Sequence, residues 1–407
     1  MSAVPLWRNR EFALLQAGQL LSDAGTQSTT IAYPLLVLAI SGSAAQAGLV
    51  TFARLLPSGI FALPAGLAAD RWSRKHLMIA ADVARAAAMA TLATVILHGR
   101  ASVAWVLLAA LLEGSGTTFF SAAQAGAVRG AVSLRQLPAA AGVQEARRAV
   151  VRLGGAPLGG ALYGWSRAMP FVVDAVSYVF STVSLLAMRA PFQEARSRDP
   201  RLAEGLRFLW AHPFLRTTAL LYAIGNFLVP AMLLVVVVAG RRQGLTSLEI
   251  GLLSGTVGAG TLVGSLASPI FRRLLGVRAI LLMELWTWLG SWIFVIWPNA
   301  FLLAAVLVPF GIAAPVTDSV VVGYRIAMTP DALLGRVESV RSSISLLVSP
   351  LGPLAAGLLL ESVSARTTVA LLAVVGLALA VWGTLSPAIR RSPSLDEPGG
   401  LLRGPLS

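Results

Sequence analysis

The sequence predicts an all-α polytopic membrane protein with twelve transmembrane helices in two pseudo-symmetric six-helix halves, and three observations lead there. Apolar residues fill 56% of 407 positions while Asp, Glu, Lys and Arg fill only 12%. With a mean hydropathy of +0.76, that composition is too apolar for a water-soluble globule. Continuous apolar runs recur from Phe12 to Leu385, each near the ~20 residues a helix needs to cross the hydrocarbon. These runs do not alternate over ~10 residues as barrel strands do, which leaves helix as the secondary structure.

Taken in order, the runs centre near Ile31, Ile60, Ala87, Ala110, Ala156, Val179, Val229, Val257, Trp288, Val306, Leu351 and Val375. Arg8 and Arg10 precede the first run as they would in a secretory leader. That run continues for ~28 residues without a small-residue cleavage site, so it is expected to stay as the first helix. Between Arg189 and Pro213 apolar density falls and Arg accumulates, the mark of a linker. The expected organisation is a six-helix half over residues 1–190, a cytoplasmic linker over 191–213, a second half over 214–386 and a cytoplasmic tail over 387–407. Within the linker, Leu202, Leu206 and Leu209 share one helical face, as in a short helix lying on the inner leaflet.

Basic residues set the orientation, because Lys and Arg near helix ends stay on the cytoplasmic side. With the first terminus inside, nineteen bases fall on inside segments and five, Arg100, Arg167, Arg241, Arg242 and Arg366, fall outside. An even helix count then places both termini in the cytoplasm of a cell whose inner (plasma) membrane holds the protein.

Residue types also exclude function classes. The net charge of +14 is spread over alternate loops without aromatic interleaving, so no nucleic-acid partner is expected. Thirty-one of the thirty-two bases are Arg, a bias of codon usage rather than of site chemistry. There is no Cys, and His76, His98 and His212 are scattered, so no metal and no cofactor is expected. No Gly-Lys-Ser/Thr phosphate loop is present, and the acids form no nucleophile-and-base constellation. The chain is therefore expected not to be an enzyme but a secondary transporter of a small molecule, with the lipid bilayer as its medium.

The halves resemble each other. A shift of 193 residues aligns Glu145 with Glu338, Arg148 with Arg341 and Pro157-Leu158-Gly159 with Pro350-Leu351-Gly352. A shift of 198 aligns Gly66, Arg74 and Lys75 with Gly264, Arg272 and Arg273. Such repeats suit an axis along the membrane normal, a substrate site near midplane and alternating access, and a single chain supplies both halves, so a monomer suffices.

Ionisable side chains within spans are costly and face partners or water. They are Asp23, Arg54, Asp82, Arg85, Glu113, Asp174, Glu284, Asp318 and Arg325. Asp82 and Arg85, three apart on one face, are expected to pair. Asp174 stands near the start of its helix, an interfacial position. Asp23 extends a polar stripe with Gln19, Thr26 and Gln27, and Glu113 lies mid-run, where desolvation favours proton exchange. These two are the candidates for proton or substrate coupling, with Arg54 as charge partner for either; a purely structural buried pair is the alternative. Glu145, Arg147, Arg148 and Arg152 crowd the fifth span, echoed by Glu338 and Arg341, and are expected to hold an inner gate. Trp286, Trp288 and Trp292 are expected to face lipid. The pairs Gly155 and Gly159, Gly160 and Gly164, Gly251 and Gly255, and Gly260 and Gly264 permit close helix approach.

The segment Gly66-Leu67-Ala68-Ala69-Asp70-Arg71-Trp72-Ser73-Arg74-Lys75 packs an acid and three bases between two apolar runs. It resembles the signature loop of the major facilitator superfamily. Leu6-Trp7-Arg8-Asn9-Arg10-Glu11-Phe12, Gly18-Gln19-Leu20-Leu21-Ser22-Asp23-Ala24-Gly25, Asp82-Val83-Ala84-Arg85 and Gly335-Arg336-Val337 are similar to the branch containing macrolide-efflux proteins and a siderophore exporter. The resemblance implies a latch: Asp70 against the positive end of a neighbouring helix, worth ~0.3 to 1 kcal/mol, with Arg71 and Arg74 paired to acids. Alternatively Arg71, Arg74 and Lys75 only hold topology. The sequence departs from the family pattern at Ser73, where Gly is usual, and at Ser268 and Pro269, where the second half lacks the acid and first Arg. In Gly154-Gly155-Ala156-Pro157-Leu158-Gly159-Gly160, Ala156 splits the Gly-Pro pair of the antiporter motif. The resemblance implies export of an amphiphilic drug or antibiotic in exchange for protons. A uniporter or importer of a polar metabolite, or a non-transporting membrane sensor, is the alternative.

Overall fold

The computed structural model describes residues 6–189 and 202–390, so residues 191–201 of the expected linker and the tail beyond Arg390 lie outside the described residues. In chain order the helices are α1 (Arg10–Ser41), α2 (Ala44–Ile60), α3 (Ala62–Arg71), α4 (Arg74–Leu97), α5 (Val103–Ala131), α6 (Leu137–Trp165), α7 (Met169–Ala187), α8 (Leu202–Ala211), α9 (Pro213–Arg242), α10 (Ser247–Leu274), α11 (Val277–Trp286), α12 (Ser291–Ile296), α13 (Ala300–Met328), α14 (Asp331–Val348), α15 (Leu351–Ser362) and α16 (Ala365–Leu385). Among the described residues nine segments are long and apolar enough to cross a membrane, and α2 with α3, bent by 51° at their junction, adds a tenth. Helices α1 and α6, of 32 and 29 residues, have spanning length but owe too many positions to Gln, Ser, Thr or Arg to qualify on apolarity. The result is an all-α polytopic membrane protein.

Local chemistry sets the helix ends. Asn9 caps α1 by accepting from Phe12 N, and Gly42 ends it in the left-handed region at φ 70°. Thr246 and Glu249 form a reciprocal capping box at the start of α10: Thr246 N donates to Glu249 Oε2 at 2.7 Å and Glu249 N to Thr246 Oγ1 at 3.3 Å. Ser73 caps α4 by accepting from His76 N, so the position where the family pattern has Gly serves here as a helix start.

The chain divides into two compact units, Met1–Arg198 with Gly240–Gly255, and Asp199–Ala239 with Thr256–Ser407. In the first, Phe12, Leu15, Met78, Phe120, Ala123 and Leu185 form a buried cluster. Helices α1 and α6 meet along a seam of small residues. A Cβ at Gly155 would stand 2.4 Å from Gln27 Cβ, and one at Gly159 2.2 Å from the Ser28 carbonyl oxygen, so these glycines are required by contact distance.

In the second unit α11 passes through a short 3₁₀ turn at Thr287–Gly290 into α12, packed against α13 and α16. Trp288 corrects the expectation of a lipid-facing Trp cluster: it is 2% exposed and stacks on Phe310 with ring centroids 4.9 Å apart. The 3₁₀ turn changes the helical phase and swings this ring inward, while Trp286 remains exposed. Helix α8 rests on α14, where a Cβ at Gly205 would meet the Arg336 backbone at 2.7 Å, and Glu204 pairs with Arg336. Leu209 is buried while Leu206 and Trp210 are exposed, so the leucines do not share one environment as expected.

Candidate functional site: a charged cavity in the first unit

A cavity of about 470 Å³ opens between α1, α2, α5 and α6, lined among others by Asp23, Thr26, Thr30, Arg54, Glu113 and Arg148. Its volume lies in the ~300–1,000 Å³ range of small-molecule sites. The polar stripe of α1 supplies Asp23, Thr26, Gln27 and Thr30, α2 and α5 place the charges Arg54 and Glu113 and the hydroxyls of Ser58, Thr117 and Thr118 opposite, and α6 adds Arg148 and Arg152.

Helix α5 reaches α2 at Gly114, where a Cβ would stand 2.1 Å from the Arg54 carbonyl oxygen. That approach lets the neighbouring Glu113 meet the Arg54 side chain. Arg54 Nε donates to Glu113 Oε2 at 2.7 Å and Nη2 to Oε1 at 3.0 Å, a two-pronged pair. The remaining donors are used as well: Nη1 reaches Thr30 Oγ1 at 2.8 Å and Nη2 the Thr26 carbonyl at 2.8 Å. Glu113 is 1% exposed, so this full set of hydrogen bonds is what offsets the cost of burying two charges.

The sequence left Arg54 open as partner to Asp23 or Glu113, and the structure gives it to Glu113. Asp23 contacts Arg147 instead, with Oδ2 2.8 Å from Nη1; the Arg is 6% exposed and the Asp 43%. Asp23 is thus a carboxylate half open to the cavity and held from behind by a buried cation. Arg147, grouped from sequence with the residues expected to hold a gate, is set apart from them by its contact with Asp23. A signal for it exists in the sequence: Arg147, Val151, Gly155 and Gly159 form an i, i+4 row on α6, all four buried, and the two glycines mark the face turned to α1.

Deeper in the unit, Arg85 pairs with Asp82 on α4 as expected. Its guanidinium also lies 4.7 Å from the centre of the Phe120 ring and 4.2 Å from that of Tyr178. Asp174 departs from expectation: it is 0% exposed, not interfacial, because α7 packs Asp174 and Ser177 against Gly25 of α1.

The signature segment folds as the end of α3 and the start of α4. Asp70 lies 3.9 Å from Arg74, and the Arg74 guanidinium fills the space a side chain at Gly126 would need. Lys75 Nζ donates to the Met188 carbonyl at 2.6 Å and the Leu186 carbonyl at 3.3 Å, covering the C-terminal end of α7. Arg71 is exposed and pairs with no acid among the described residues, against the expectation of a second acid pair. A Cβ at Gly66 meets nothing within 4 Å. On α6, Glu145 pairs with Arg152 and lies 3.9 Å from Arg148. Arg148 borders both the main cavity and a second one of about 450 Å³ lined by Ser121, Gln124 and Gln144.

In the second unit Glu338 meets Arg325 at 2.9 Å and Arg341 at 2.7 Å, and the Arg341 guanidinium stacks 4.7 Å from the centre of the Tyr222 ring. These side chains adjoin a narrow cavity of about 50 Å³ lined by Glu284, Asp318, Tyr222, Arg341 and leucines.

Comparison with known proteins agrees with this architecture. The chain is 29% identical over 411 residues to the multidrug efflux pump Tap of Mycolicibacterium fortuitum, covering 95% of this chain and 97% of that one. It is 23% identical over 357 residues to macrolide efflux protein A of Streptococcus pyogenes, covering 84% and 87%. A crystal structure of a bacterial homologue of the human lysosomal transporter Spinster superposes with a TM-score of 0.72 at 17% identity, covering 94% of this chain and 97% of that one, and shares the fold. Residues 1–397 match the family described as transmembrane secretion effectors; the chain belongs to this branch of the major facilitator superfamily.

Proposed function

We propose that the chain exports an amphiphilic small molecule, of the drug or antibiotic class named for its relatives, in exchange for protons by alternating access. The observation that carries this reading is Asp23, a carboxylate half exposed to a drug-sized cavity and held by buried Arg147. A cationic group on the cargo competes with Arg147 for Asp23, and a proton removes the charge that attracts the cargo. Two ligands that share one carboxylate disfavour each other's binding, and that reciprocal coupling is what exchange requires. The Arg54–Glu113 pair forms the opposite wall and holds α1 through Thr26 and Thr30, so cargo that disturbs it also disturbs the helix carrying Asp23.

The gate in this proposal consists of Gly66, Asp70, Arg71, Arg74 and Lys75 after the second span, with Glu145, Arg148, Glu338 and Arg341. Their exposed or half-buried pairs are each worth about 0–1 kcal/mol, weak enough to break and re-form in a transport cycle. In this proposal the protein works in the plasma membrane with both termini cytoplasmic, as a monomer with one small-molecule cargo.

The test is drug accumulation in efflux-deficient cells expressing the chain, with and without a protonophore, over macrolides, lipophilic dyes and siderophores. The proposal expects lowered accumulation of at least one class, reversed by the protonophore and abolished by Asp23→Asn at normal expression. Unchanged accumulation across a well-expressed panel contradicts it and favours metabolite uptake.

A further inference from the structure

The first unit buries a third carboxylate that neither ion pair claims. Asp174, the sixth residue of α7, is 0% exposed, and its Oδ2 has no hydrogen-bond partner. On its own helix Ser177 donates to Asp174 Oδ1 at 3.4 Å and Tyr178 stands one turn along; Gly25 of α1 closes over it, and Arg85 from α4, Arg54 from α2 and Glu113 from α5 are the charges that act on it. Both cations are already engaged, Arg85 by Asp82 and Arg54 by Glu113, and no ion pair to Asp174 forms among the described residues. Three buried carboxyls, Asp82, Glu113 and Asp174, thus share two guanidiniums. A Cβ at Gly25 would lie 2.6 Å from Asp174 Oδ1, so only glycine lets α1 seal this carboxyl.

An uncompensated buried carboxylate is strongly unfavourable, and a proton is the simplest ligand that removes the charge. We infer that Asp174 is a second proton site of the exchange, behind Asp23, with Tyr178 and Thr26 linking it to the cavity. This rests on the proton-exchange reading above and adds to the cargo-facing Asp23 a buried carboxyl that holds a proton. Tyr178 follows Asp174 by four residues on the same face of α7, its hydroxyl lies 2.8 Å from Thr26 Oγ1, and Thr26 lines the cavity. When the proton leaves, the Tyr178 hydroxyl takes it from Asp174 as it passes its own to Thr26, and Thr26 passes its own to water in the cavity. Neither hydroxyl gains or loses a proton overall, and Asp174 is left as the carboxylate. Arg85, stacked on the Tyr178 ring, stands beside the charge that appears. Arg54 binds the Thr26 carbonyl at 2.8 Å, which ties the relay to the wall the cargo touches.

The test uses the purified full chain in lipid near neutral pH. The infrared spectrum is expected to show the carbonyl stretch of a protonated carboxyl, shifted in Asp174→Glu and lost in Asp174→Asn, which is isosteric with the protonated acid and therefore expected to fold. Tyr178→Phe is expected to keep the band and slow pH-gradient-driven transport on the order of 100-fold, the scale of losing a positioned proton-transfer group. A band that persists in Asp174→Asn, or none in the wild type, overturns the assignment while leaving proton exchange intact. Wild-type transport indifferent to the pH gradient overturns the exchange reading and the assignment's role in it together.

Discussion

The two units solve the same problem, a charged residue inside a membrane helix, in different ways. In the first, Asp23 and Arg147 bridge α1 and α6, and Arg54 and Glu113 bridge α2 and α5, around a cavity of about 470 Å³. In the second, Arg341 of α14 meets α9 through the Tyr222 ring rather than through a carboxylate, and the adjoining cavity of about 50 Å³ holds only a few waters. A ring face attracts a cation but takes up no proton. The sequence repeat that aligns Glu145 with Glu338 and Arg148 with Arg341 therefore carries over the charges but not their setting: Glu338 bridges α13 and α14 through Arg325 and Arg341 beside a narrow cavity, whereas the ion pairs that face a drug-sized cavity, the apparatus of the proposal, lie in the first unit.

The largest expected effect comes from breaking that apparatus on one side. Arg54→Ala strands Glu113 at 1% exposure and should cost about 3–5 kcal/mol, seen as loss of folded protein by fluorescence-detected size exclusion. Replacing both partners, Arg54→Met with Glu113→Leu, should recover folding without transport, because apolar neighbours satisfy packing but cannot exchange charge.

Glycine sharpens the comparison at intermediate size. Gly114→Ala drives a Cβ against the Arg54 carbonyl and should cost about 1–3 kcal/mol, lowering the melting temperature in detergent. Gly66→Ala meets nothing within 4 Å and should leave stability unchanged or raised by up to ~1 kcal/mol. If transport nevertheless falls in Gly66→Ala, the latch role is supported; unaltered transport would remove Gly66 from the gate.

In the second unit, Tyr222→Leu removes the cation–π contact and should cost about 0.5–2 kcal/mol, while sparing the dependence of transport on the pH gradient. Smallest of all, Arg152→Gln breaks an exposed pair with Glu145 and should change stability by no more than about 1 kcal/mol in the same thermal assay.

How far the sequence carried depended on the kind of interaction. Apolar runs identify helices because lipid imposes one requirement on every residue of a span, and Asp82 with Arg85 could be paired because both lie on one helix. Pairs between helices follow rotations that composition does not fix. Asp23 is 124 positions from Arg147, and the clue was the row of small residues on α6 that shares Arg147's face. Trp288 and Asp174 were misplaced for the same reason: depth along a span can be counted, but facing depends on a 3₁₀ turn in one case and on Gly25 in the other. The bend between α2 and α3 has no strong sequence signal either, as Pro57 and Pro64 flank the break at Phe61 without marking its direction.

The most direct measurement loads inside-out membrane vesicles with wild type or Asp23→Asn at matched amounts, imposes a pH gradient, and follows uptake of a labelled macrolide or lipophilic cationic dye that the wild type exports from cells. The account predicts gradient-driven uptake by the wild type that a protonophore collapses, and background uptake by the variant. Equal uptake by the two proteins, or wild-type uptake that survives collapse of the gradient, would contradict it.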